Sequence, residues 1–408
     1  MYNLGIYILD FFLKTLALFN TKIKLGVIGR RNTFLILNKN LSPNDKTIWF
    51  HCASLGEYEQ GLPVFEAVRN NYRSHKIILT FFSPSGYEIR KCTPIADIVT
   101  YLPLDTKKNA HQFLSVVNPE FTVFVKYDVW PNFLNTLKKK KLRAILISAS
   151  FRKEQSYFKW YGNNVRNALK AFEHIFVQNE HSKSLLHEIG ITNVSVSGDT
   201  RFDRVSNQLQ QDNNLDFISK FKSNSICIVI GSSWPEDEAI LLPYINKKVS
   251  KKIKFIIAPH EIKKNHIKEI ISKLTIAPVL FSEKAQKNLS EHSVLIIDTI
   301  GLLSKIYSYA DISYVGGAMG TTGLHNILEP SVFGVPIIIG KNHQKFPEAS
   351  QMINHGGVIS IRNEAQLESQ LDDLVNSLEK RQKLGKLNSD FIENSKGAVV
   401  QIMDYIRI

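Results

Sequence analysis

The stretch TIWFHCASLGEYEQGLPVFEAVRNNY (residues 47–72) predicts one strand followed by one helix. Its first residues are apolar and are β-branched or aromatic, as in a buried strand, whereas residues 62–72 have helical spacing. Glu57 lies at the junction, directly after Gly56. The order of strand, carboxylate and helix raises the question of whether Glu57 caps a helix or performs chemistry.

The same alternation of short apolar runs and longer helical segments continues along the chain. The predicted strands are TIWFHCA, KIILTFF, IVTYLP, FTVFVK, RAILISAS, HIFVQ and NVSVSG in the first half, and SICIVIG, KFIIAP, SVLIID, ISYVGG, VPIIIG and GVISI in the second. Their nearly continuous Val, Ile and Phe content is typical of strands that are buried on both faces. This predicts parallel sheets between layers of helices.

The length of 408 residues predicts two domains of about 200 residues each. The polar stretch SNQLQQDNNLD (residues 206–216) interrupts the alternation and marks the predicted boundary. We expect an N-terminal segment (1–31) followed by two Rossmann-like domains (32–205 and 206–408). The predicted fold class is α/β, with two doubly wound domains that face a central cleft.

Composition narrows the classes of partner. The formal net charge of +14 favours anionic partners, either a nucleic acid or an anionic membrane surface. The lysine clusters LKKKKLR (137–143) and NKKVSKKIK (246–254) are more typical of solvated segments, and no RNA-binding aromatic signature accompanies them, so we predict no nucleic-acid partner. Three widely spaced cysteines indicate a reducing compartment, without a disulfide framework or zinc pattern.

The first twenty residues, MYNLGIYILDFFLKTLALFN, are strongly apolar, but charges at Asp10 and Lys14 keep every apolar run well short of the roughly 20 residues of a membrane span. On a helical wheel Asn3, Asp10, Lys14 and Thr21 share one narrow face, and apolar side chains cover the rest. Lysines and arginines follow. This pattern predicts a helix in the interface of a bilayer; a helix docked on the core of the protein is the alternative.

In open parallel sheets, ligands bind beyond the carboxyl ends of the strands. In the second half, GGAMGTTGLHNILEP (316–330) lies at such an end, and its glycines would let backbone approach a ligand before a helix that favours anions. It is neither a dinucleotide fingerprint nor a P-loop, and a structural glycine-rich turn is an equal alternative. GSSWPEDEAI (231–240) and APHE (258–261) end two other strands. No stretch has metal-ligand spacing, so we predict neither a metal nor a cofactor.

Glu57 has two interpretations on sequence alone. Ser54 and Glu57 have the spacing of a capping box, in which the serine accepts a first-turn N–H while the glutamate reaches back. Alternatively, Glu57 is a general base that takes a proton from an acceptor hydroxyl. The N-terminus of the helix would keep that carboxylate ionised.

Ten stretches follow one another in a fixed order: HCASLGEYEQGLPVFEAVR, TFFSPSGYE, VKYDVWPN, ISASFR, QNE, SGDTRFDRV, GSSWPEDE, APHE, YVGGAMGTTGLHNILEP and PIIIGKNHQKF. As a set they resemble the 3-deoxy-D-manno-octulosonic acid (Kdo) transferases, the membrane-associated glycosyltransferases of lipopolysaccharide assembly. The resemblance runs from about residue 7 to the C-terminus. It implies a GT-B fold in which the domain 32–205 binds the acceptor and the domain 206–408 binds the donor, with residues 1–31 associated with the membrane. It also implies CMP-Kdo as donor, a lipid A precursor as acceptor, inversion without a metal, and a place on the cytoplasmic face of the inner membrane.

The resemblance also assigns roles to individual positions. Glu57 matches the catalytic base. Arg201 matches a basic position, often lysine, that is thought to support the transition state. Together with Lys126, these two residues form the predicted catalytic set. The positions that match nucleotide-binding segments are Pro259, His260, Ile300, Gly301, Leu302, Asn326, Ile327, Leu328 and Glu329. Lys126, Arg201 and the helix expected near His325 would stabilise the anionic leaving group.

Three positions depart from the family pattern. Lys126 stands where many members have an acidic residue, so a carboxylate role does not transfer to it; Asp128 is a partial substitute, or Lys126 binds the carboxylate of the donor. His260 stands where arginine is common, and Leu302 where glutamate is common. Two rival functions remain: another GT-B enzyme that uses a UDP-sugar, either a glycosyltransferase or an epimerase, and a non-enzymatic basic protein of membrane or nucleic acid.

Overall fold

A computed structural model describes residues 2–406. By its internal contacts the chain divides into two compact units, residues 2–204 with 396–406, and residues 205–395. The chain therefore leaves the first unit close to the polar stretch at 206–216 and returns to it for its last helix. Each unit contains one parallel sheet of seven strands.

The first unit begins with two helices and then alternates strands with helices, as the sequence predicts. The helices and strands are α1 (Tyr2–Leu16), α2 (Thr21–Asn40), β1 (Thr47–Cys52), α3 (Leu55–Asn71), β2 (Lys76–Phe81), α4 (Pro84–Arg90), β3 (Ile98–Tyr101), α5 (Lys107–Val117), β4 (Phe121–Val125), α6 (Pro131–Lys140), β5 (Arg143–Ala149), α7 (Asn163–Leu169), β6 (His174–Val177), α8 (Glu180–Glu188), β7 (Val194–Val196) and α9 (Thr200–Asn207). The strand order is β3-β2-β1-β4-β5-β6-β7. This sheet has the doubly wound arrangement, with its crossover between β1 and β4.

The second unit repeats the arrangement. Its helices and strands are α10 (Asp216–Lys222), β8 (Ile226–Ser233), α11 (Pro235–Lys248), β9 (Ile253–Pro259), α12 (Lys264–Lys273), β10 (Val279–Leu280), β11 (Val294–Ile296), α13 (Leu303–Ile306), β12 (Ile312–Val315), α14 (Leu328–Ser331), β13 (Ile337–Ile339), α15 (Pro347–His355), β14 (Val358–Ser360), α16 (Glu364–Asn376) and α17 (Leu378–Ser395). The strand order is β10-β11-β9-β8-β12-β13-β14. The two-residue strand β10 is the one strand here that the sequence analysis does not predict.

Burial explains why the strands lack the alternation of a half-exposed sheet. In β1, Trp49 packs in a cluster on one face, whereas Ile48 and Phe50 pack in a separate cluster on the other. All six β1 side chains are buried. Helices therefore cover both faces of the sheet, and only the strand ends are free to carry polar chemistry.

The last helix, α18 (Ala398–Tyr405), belongs to the first unit. Ile402 lies in the same apolar cluster as Val64 and Val68 of α3, and the backbone N–H of Gly397 donates to Asp203 Oδ1 at 2.9 Å. The hydroxyl of Tyr405 donates to Glu173 at 3.0 Å. The C-terminal segment thus closes the side of the helix that carries Glu57.

The N-terminal hairpin of α1 and α2 has an unusual polarity. One edge of α1 faces the first unit, because Tyr2 donates to Asp105 at 2.6 Å, Asn3 accepts from Asn132 at 2.8 Å and Ile6 is buried. Most other apolar side chains of the helix are exposed, Phe11 by 68%. Within residues 2–406 no helix combines the length and apolar character needed to cross a bilayer.

Candidate active site

Glu57 lies in the first turn of α3, directly beyond the carboxyl end of β1. Its side chain is 9% exposed. The loop that carries it is fixed by the neighbouring strand, because the backbone N–H of Ser83 donates to the carbonyl of Ala53 at 2.7 Å. The carboxylate is therefore held at a defined point of the sheet edge where doubly wound folds bind ligands.

The capping box that the Ser54 and Glu57 spacing predicts does not form in its expected manner. Ser54 is the N-cap residue, but its side chain makes no capping hydrogen bond to the first turn. Its hydroxyl instead contacts Glu57 Oε2 as a hydrogen-bond donor. The hydroxyl of Ser54 therefore orients the Glu57 carboxylate and does not cap the helix.

Arg201 is tied to the helix that carries Glu57. Its guanidinium and backbone N–H both bond to Asp199, with Nε 2.9 Å from Oδ2. Asp199 also accepts from Gln60 at 2.9 Å, one turn beyond Glu57 on α3. The structure therefore brings the loop of Arg201 and the first turns of α3 together through one buried carboxylate, which sequence reasoning missed.

Lys126 is placed at the end of β4 in a left-handed conformation, with φ of +70°. Its ammonium lies 5.2 Å from the centre of the Tyr127 ring and forms no ion pair within the part of the chain that the structure describes. The carboxylate in this loop is Asp128. Asp128 and Glu57 both lie close enough to Cys52 to add to burial, the main cause, in raising the pKa of that thiol.

Asp128 faces a buried histidine whose protonation follows from its partners. The indole N–H of Trp130 donates to His51 Nε2 at 2.8 Å, and Nδ1 of the same ring lies 2.8 Å from the hydroxyl of Thr80. Nε2 is therefore the acceptor and Nδ1 carries the proton. Asp128 Oδ2 lies 3.3 Å from Nε2 but receives no hydrogen bond, so this buried oxygen stays available.

In the second unit, Asp237 organises the glycine-rich loop after β12. This buried carboxylate accepts the backbone N–H of Gly317 at 2.7 Å, that of Trp234 at 3.0 Å and the hydroxyl of Tyr314 at 2.8 Å. Burial is the main cause that raises the pKa of Asp237, and these hydrogen bonds act against it. Gly317 has φ of +95°, and a Cβ there would lie 2.0 Å from the carbonyl of Gly323. The glycines are thus required by the packing of the loop on itself.

His260 belongs to an aromatic cluster at the ends of β8, β9 and β12. Its ring stacks on Trp234 with centroids 4.5 Å apart and lies 4.4 Å from the ring of His325. The indole N–H of Trp234 donates to His325 Nε2 at 3.1 Å, so that nitrogen is unprotonated. Burial lowers the pKa of both histidines, that of His325 to about 4 with a contribution from His260. The three rings stack on one another at interplanar angles of 21° to 40° and form a neutral aromatic cluster.

The pKa of His325 leads to a prediction of pH dependence. An unfolded histidine titrates near pH 6.5, whereas the folded group stays neutral down to about pH 4. Its contribution to stability is therefore full above pH 6.5 and declines as the pH falls through this interval. Histidine NMR signals should give a midpoint near 4, and His260→Ala should raise it by removing a charged neighbour and some burial. A midpoint near 6.5 would show that Trp234 does not hold the neutral ring.

The segment 326–329 differs from the expected helix start. The helix predicted near His325 begins at Leu328 and is a single turn, and its first N–H already bonds to Asn326 Oδ1 at 3.1 Å. Asn326 Nδ2 donates to Glu329 at 3.1 Å. Ile327 and Leu328 are buried as whole residues, so neither is accessible to a ligand in this conformation. The anion site expected at this helix is not formed by free first-turn N–H groups.

The segment 300–302 is an exposed turn. Ile300 is 85% exposed, and Gly301 has φ of +88°. Leu302 leads into α13, whose Leu303 packs beside Gly231 at the end of β8. Pro259 pairs with Ser233, and the N–H of His260 donates to the carbonyl of Ser233 at 3.0 Å. Residues 300–302 and residues 259–260 therefore both lie next to the end of β8.

Comparisons with known proteins agree with this fold. Residues 28–204 match the family described as 3-Deoxy-D-manno-octulosonic-acid transferase (kdotransferase). The 3-deoxy-D-manno-octulosonic acid transferase of Haemophilus influenzae is 26% identical over 90% of this chain and 87% of its own length. That of Chlamydophila psittaci is 27% identical over 75% and 72%. Among solved structures, UDP-GlcNAc 2-epimerase from Neisseria meningitidis bound to UDP-GlcNAc has a TM-score of 0.63 at 17% identity, over 88% of this chain and 98% of its own.

Two parallel-sheet α/β units with this structural likeness define a protein of the GT-B fold. The sequence relatives narrow the class of enzyme further than the fold does, because the similarity extends over most of both chains. The chain is similar to the 3-deoxy-D-manno-octulosonic-acid transferase family, through the match of residues 28–204 to the family and through relatives of that name that are 26–27% identical over most of its length.

Proposed function

We propose that the chain transfers Kdo from CMP-Kdo to a hydroxyl of a lipid A precursor, with inversion and without a metal. Similarity to the family supports the donor and the sugar transfer. The observation that carries the chemistry is Glu57, a carboxylate at the end of β1 whose contact with Ser54 orients it. Orientation of this carboxylate by a side chain, in place of a capping bond to the helix, supports the role of a general base.

In the proposed reaction the oxygen of the acceptor hydroxyl attacks the anomeric carbon of Kdo. Glu57 takes the hydroxyl proton as that bond forms, and the bond from the anomeric carbon to the phosphate oxygen of CMP breaks. CMP leaves with the electron pair. Arg201 and Lys126 are the two cations of the first unit assigned to the developing negative charge. Arg201 is partly neutralised by Asp199, so Lys126, without an ion pair among the described residues, supplies the less compensated charge.

Recognition of the cytidine nucleotide is assigned to the second unit. The stacked rings of Trp234 and His260 offer an aromatic surface to a base, and the loop that Asp237 holds supplies backbone groups for ribose and phosphate. The exposed turn at Gly301 and the pair of Asn326 and Glu329 add polar contacts at the same edge of the sheet. Neutral histidines suit an uncharged base better than a phosphate.

The test is product analysis with purified full-length protein. We expect CMP release from CMP-Kdo only when a lipid A precursor is present, and the mass of that lipid should rise by whole Kdo units. The rival UDP-sugar function predicts that UDP-GlcNAc, and not CMP-Kdo, is consumed. Consumption of UDP-GlcNAc alone would reject the proposed donor, whereas CMP release without lipid modification would reject the proposed acceptor.

We further propose that the chain acts at the cytoplasmic face of the inner membrane, where it is held by α1. An exposed apolar helix surface is costly in water and stable in the interface of a bilayer. Tyr2 and Asn3 hold the start of α1 against the first unit, and the apolar side chains that stay exposed include Phe11, Phe12 and, just after the helix, Phe19. Basic residues on α2 would face anionic headgroups.

Flotation with anionic vesicles tests this location. Phe11→Ser with Phe12→Ser should lower vesicle binding by up to about 10³-fold, since burial of each aromatic side chain stabilises binding by about 2 kcal/mol. Val400→Ser removes an exposed apolar side chain from α18 of the same unit and should leave binding unchanged. Equal flotation of all three proteins would place the membrane contact elsewhere.

A further inference from the structure

A cavity of about 390 Å³ lies between α1, α2 and the segment that precedes α5. We call it the hairpin cavity. Its lining residues are Tyr7, Asp10, Leu13, Lys14, Val27, Arg30, Arg31, Phe34, Pro103, Leu104, Thr106, Lys108 and Asn109. It lies wholly in the first unit and contains none of the residues assigned to the transfer reaction.

Arg30 is the most informative side chain of this lining. Its guanidinium lies over the ring of Phe82 at 4.3 Å, and Nη2 donates to the carbonyl of Phe82 at 2.6 Å. Its Nε is buried without a hydrogen-bond partner, and no carboxylate of the described residues forms an ion pair with it. Burial lowers the pKa of Arg30, which reflects the cost of holding this charge away from water. Asp10 acts against that shift but is paired with Lys14 and not with Arg30, so the partly buried guanidinium is incompletely compensated and would gain from a bound anion.

The other charges of the cavity also favour an anionic ligand. Arg30, Arg31, Lys14 and Lys108 are basic, and Asp10 is the one acidic residue of the lining. Asp10 is already paired with Lys14 at 2.6 Å. The cavity therefore has a positive excess that its own carboxylate does not neutralise.

The remaining lining is largely apolar, and it continues into an apolar surface. Tyr7 and Leu13 come from α1, whereas Val27 and Phe34 come from α2. Beside them on α1, Phe11 and Phe12 are exposed. A small hydrophilic anion would satisfy the charges but not the apolar walls, whereas an anion carried on an acyl chain satisfies both.

We propose that the hairpin cavity binds the phosphate ester of a membrane lipid, with Arg30, Arg31 and Lys108 around the phosphate and the apolar walls around the start of its chains. Arginine suits this role because its planar donors match phosphate oxygens. Two sources share this chemistry: a phospholipid of the bilayer and a phosphorylated glycolipid acceptor. The binding itself does not depend on the proposed sugar transfer.

The first experiment measures binding without a membrane surface. The full-length protein is titrated with dihexanoyl phosphatidic acid, a soluble lipid that carries a phosphate monoester, and with dihexanoyl phosphatidylcholine as the zwitterionic control. The test variant is Arg31→Gln with Lys108→Gln, both exposed and therefore compatible with folding. The matched control is Lys22→Gln with Lys24→Gln, which removes the same charge from exposed positions of α2 outside the cavity.

We expect saturable binding of phosphatidic acid to the natural protein and the control, and binding weaker by about tenfold or more in the test variant, as for loss of charge-assisted hydrogen bonds. Equal affinity of the two variants would overturn the proposal, as would equal affinity for both lipids. Arg30→Gln should abolish the preference for phosphatidic acid; its thermal unfolding midpoint checks that it folds.

A second measurement identifies the source of the phosphate. If the acceptor supplies it, the test variant raises the KM for a phosphorylated acceptor in detergent and leaves the KM for CMP-Kdo unchanged. If the bilayer supplies it, both KM values stay unchanged and flotation with anionic vesicles falls. If the test variant changes neither the KM for the phosphorylated acceptor nor flotation with anionic vesicles, a role of the cavity in the protein is contradicted. If the proposed transfer reaction is wrong, the natural protein itself shows no transfer. If only this inference is wrong, the natural protein still transfers Kdo.

Discussion

Glu57→Gln is expected to lower turnover by about 10²–10⁴-fold, the range that a general base contributes. The substitution retains the size of the side chain and an oxygen that can accept from Ser54. It removes the carboxylate that would take the acceptor proton. Because Glu57 lies in the first unit and nucleotide recognition is assigned to the second, binding of CMP-Kdo should stay unchanged. Transfer rates, CMP-Kdo affinity and thermal unfolding are measured on the same preparation.

Glu66→Gln is the matched control, because Glu66 is an exposed glutamate on the same helix, away from the strand ends. It should turn over at the natural rate. Ser54→Ala should give a smaller loss than Glu57→Gln, since the carboxylate remains but loses the hydroxyl that orients it. If Glu57→Gln transfers Kdo normally and only the unfolding midpoint falls, Glu57 has a structural role and the assigned base is wrong.

The strands of this chain were predictable because each is an apolar run that helices cover on both sides. β1, for example, consists of buried residues along its whole length. β10 escaped prediction because Val279 and Leu280 are a pair of apolar residues that pair with β11 at the edge of the sheet. Two residues carry no periodicity, and only the neighbouring strand gives them their conformation.

The candidate site was predictable in its location but not in its contacts. The position of Glu57 follows from the strand and helix that flank it. Its contact with Ser54 does not, because a capping box and an oriented carboxylate use the same spacing. Similarly, the motif around Arg201 does not reveal that Asp199 and Gln60 fix it, since Gln60 lies 139 residues away from Asp199 in the sequence. Such contacts depend on tertiary packing alone.

The N-terminal helix shows the limit of a helical wheel. The wheel separates a polar stripe from apolar faces, but it does not say which of them contacts the protein. Contacts of Tyr2 and Asn3 and the burial of Ile6 show which edge of the helix lies against the first unit. Asp10 and Lys14 form an ion pair at 2.6 Å within the helix. Docking on the protein therefore uses one edge of α1 and leaves most of its apolar side chains exposed.

Asp237→Ala is expected to cost about 3–5 kcal/mol in the stability of the second unit, because it leaves buried hydrogen-bond donors without their acceptor, at about 1–3 kcal/mol for each donor. The N–H groups of Gly317 and Trp234 and the hydroxyl of Tyr314 would lose their shared acceptor. Asp237→Asn keeps the shape and one acceptor oxygen, so it should cost less, about 1–3 kcal/mol for one unsatisfied donor. Denaturant unfolding of the full chain gives these differences.

Asp372→Asn is a matched control, since Asp372 lies in the same unit and also accepts a tyrosine hydroxyl, from Tyr244 at 2.9 Å. It is 33% exposed, so water can replace the lost interaction, and the change should stay within about 1 kcal/mol. CMP affinity provides the second readout. If Asp237 holds the glycine-rich loop in its ligand-binding form, Asp237→Asn weakens CMP binding even where the unit is folded, whereas Asp372→Asn does not. If Asp237→Asn has the stability and the CMP affinity of the natural protein, the loop keeps its conformation through its glycines and its own backbone. The buried carboxylate is then not what shapes the nucleotide site.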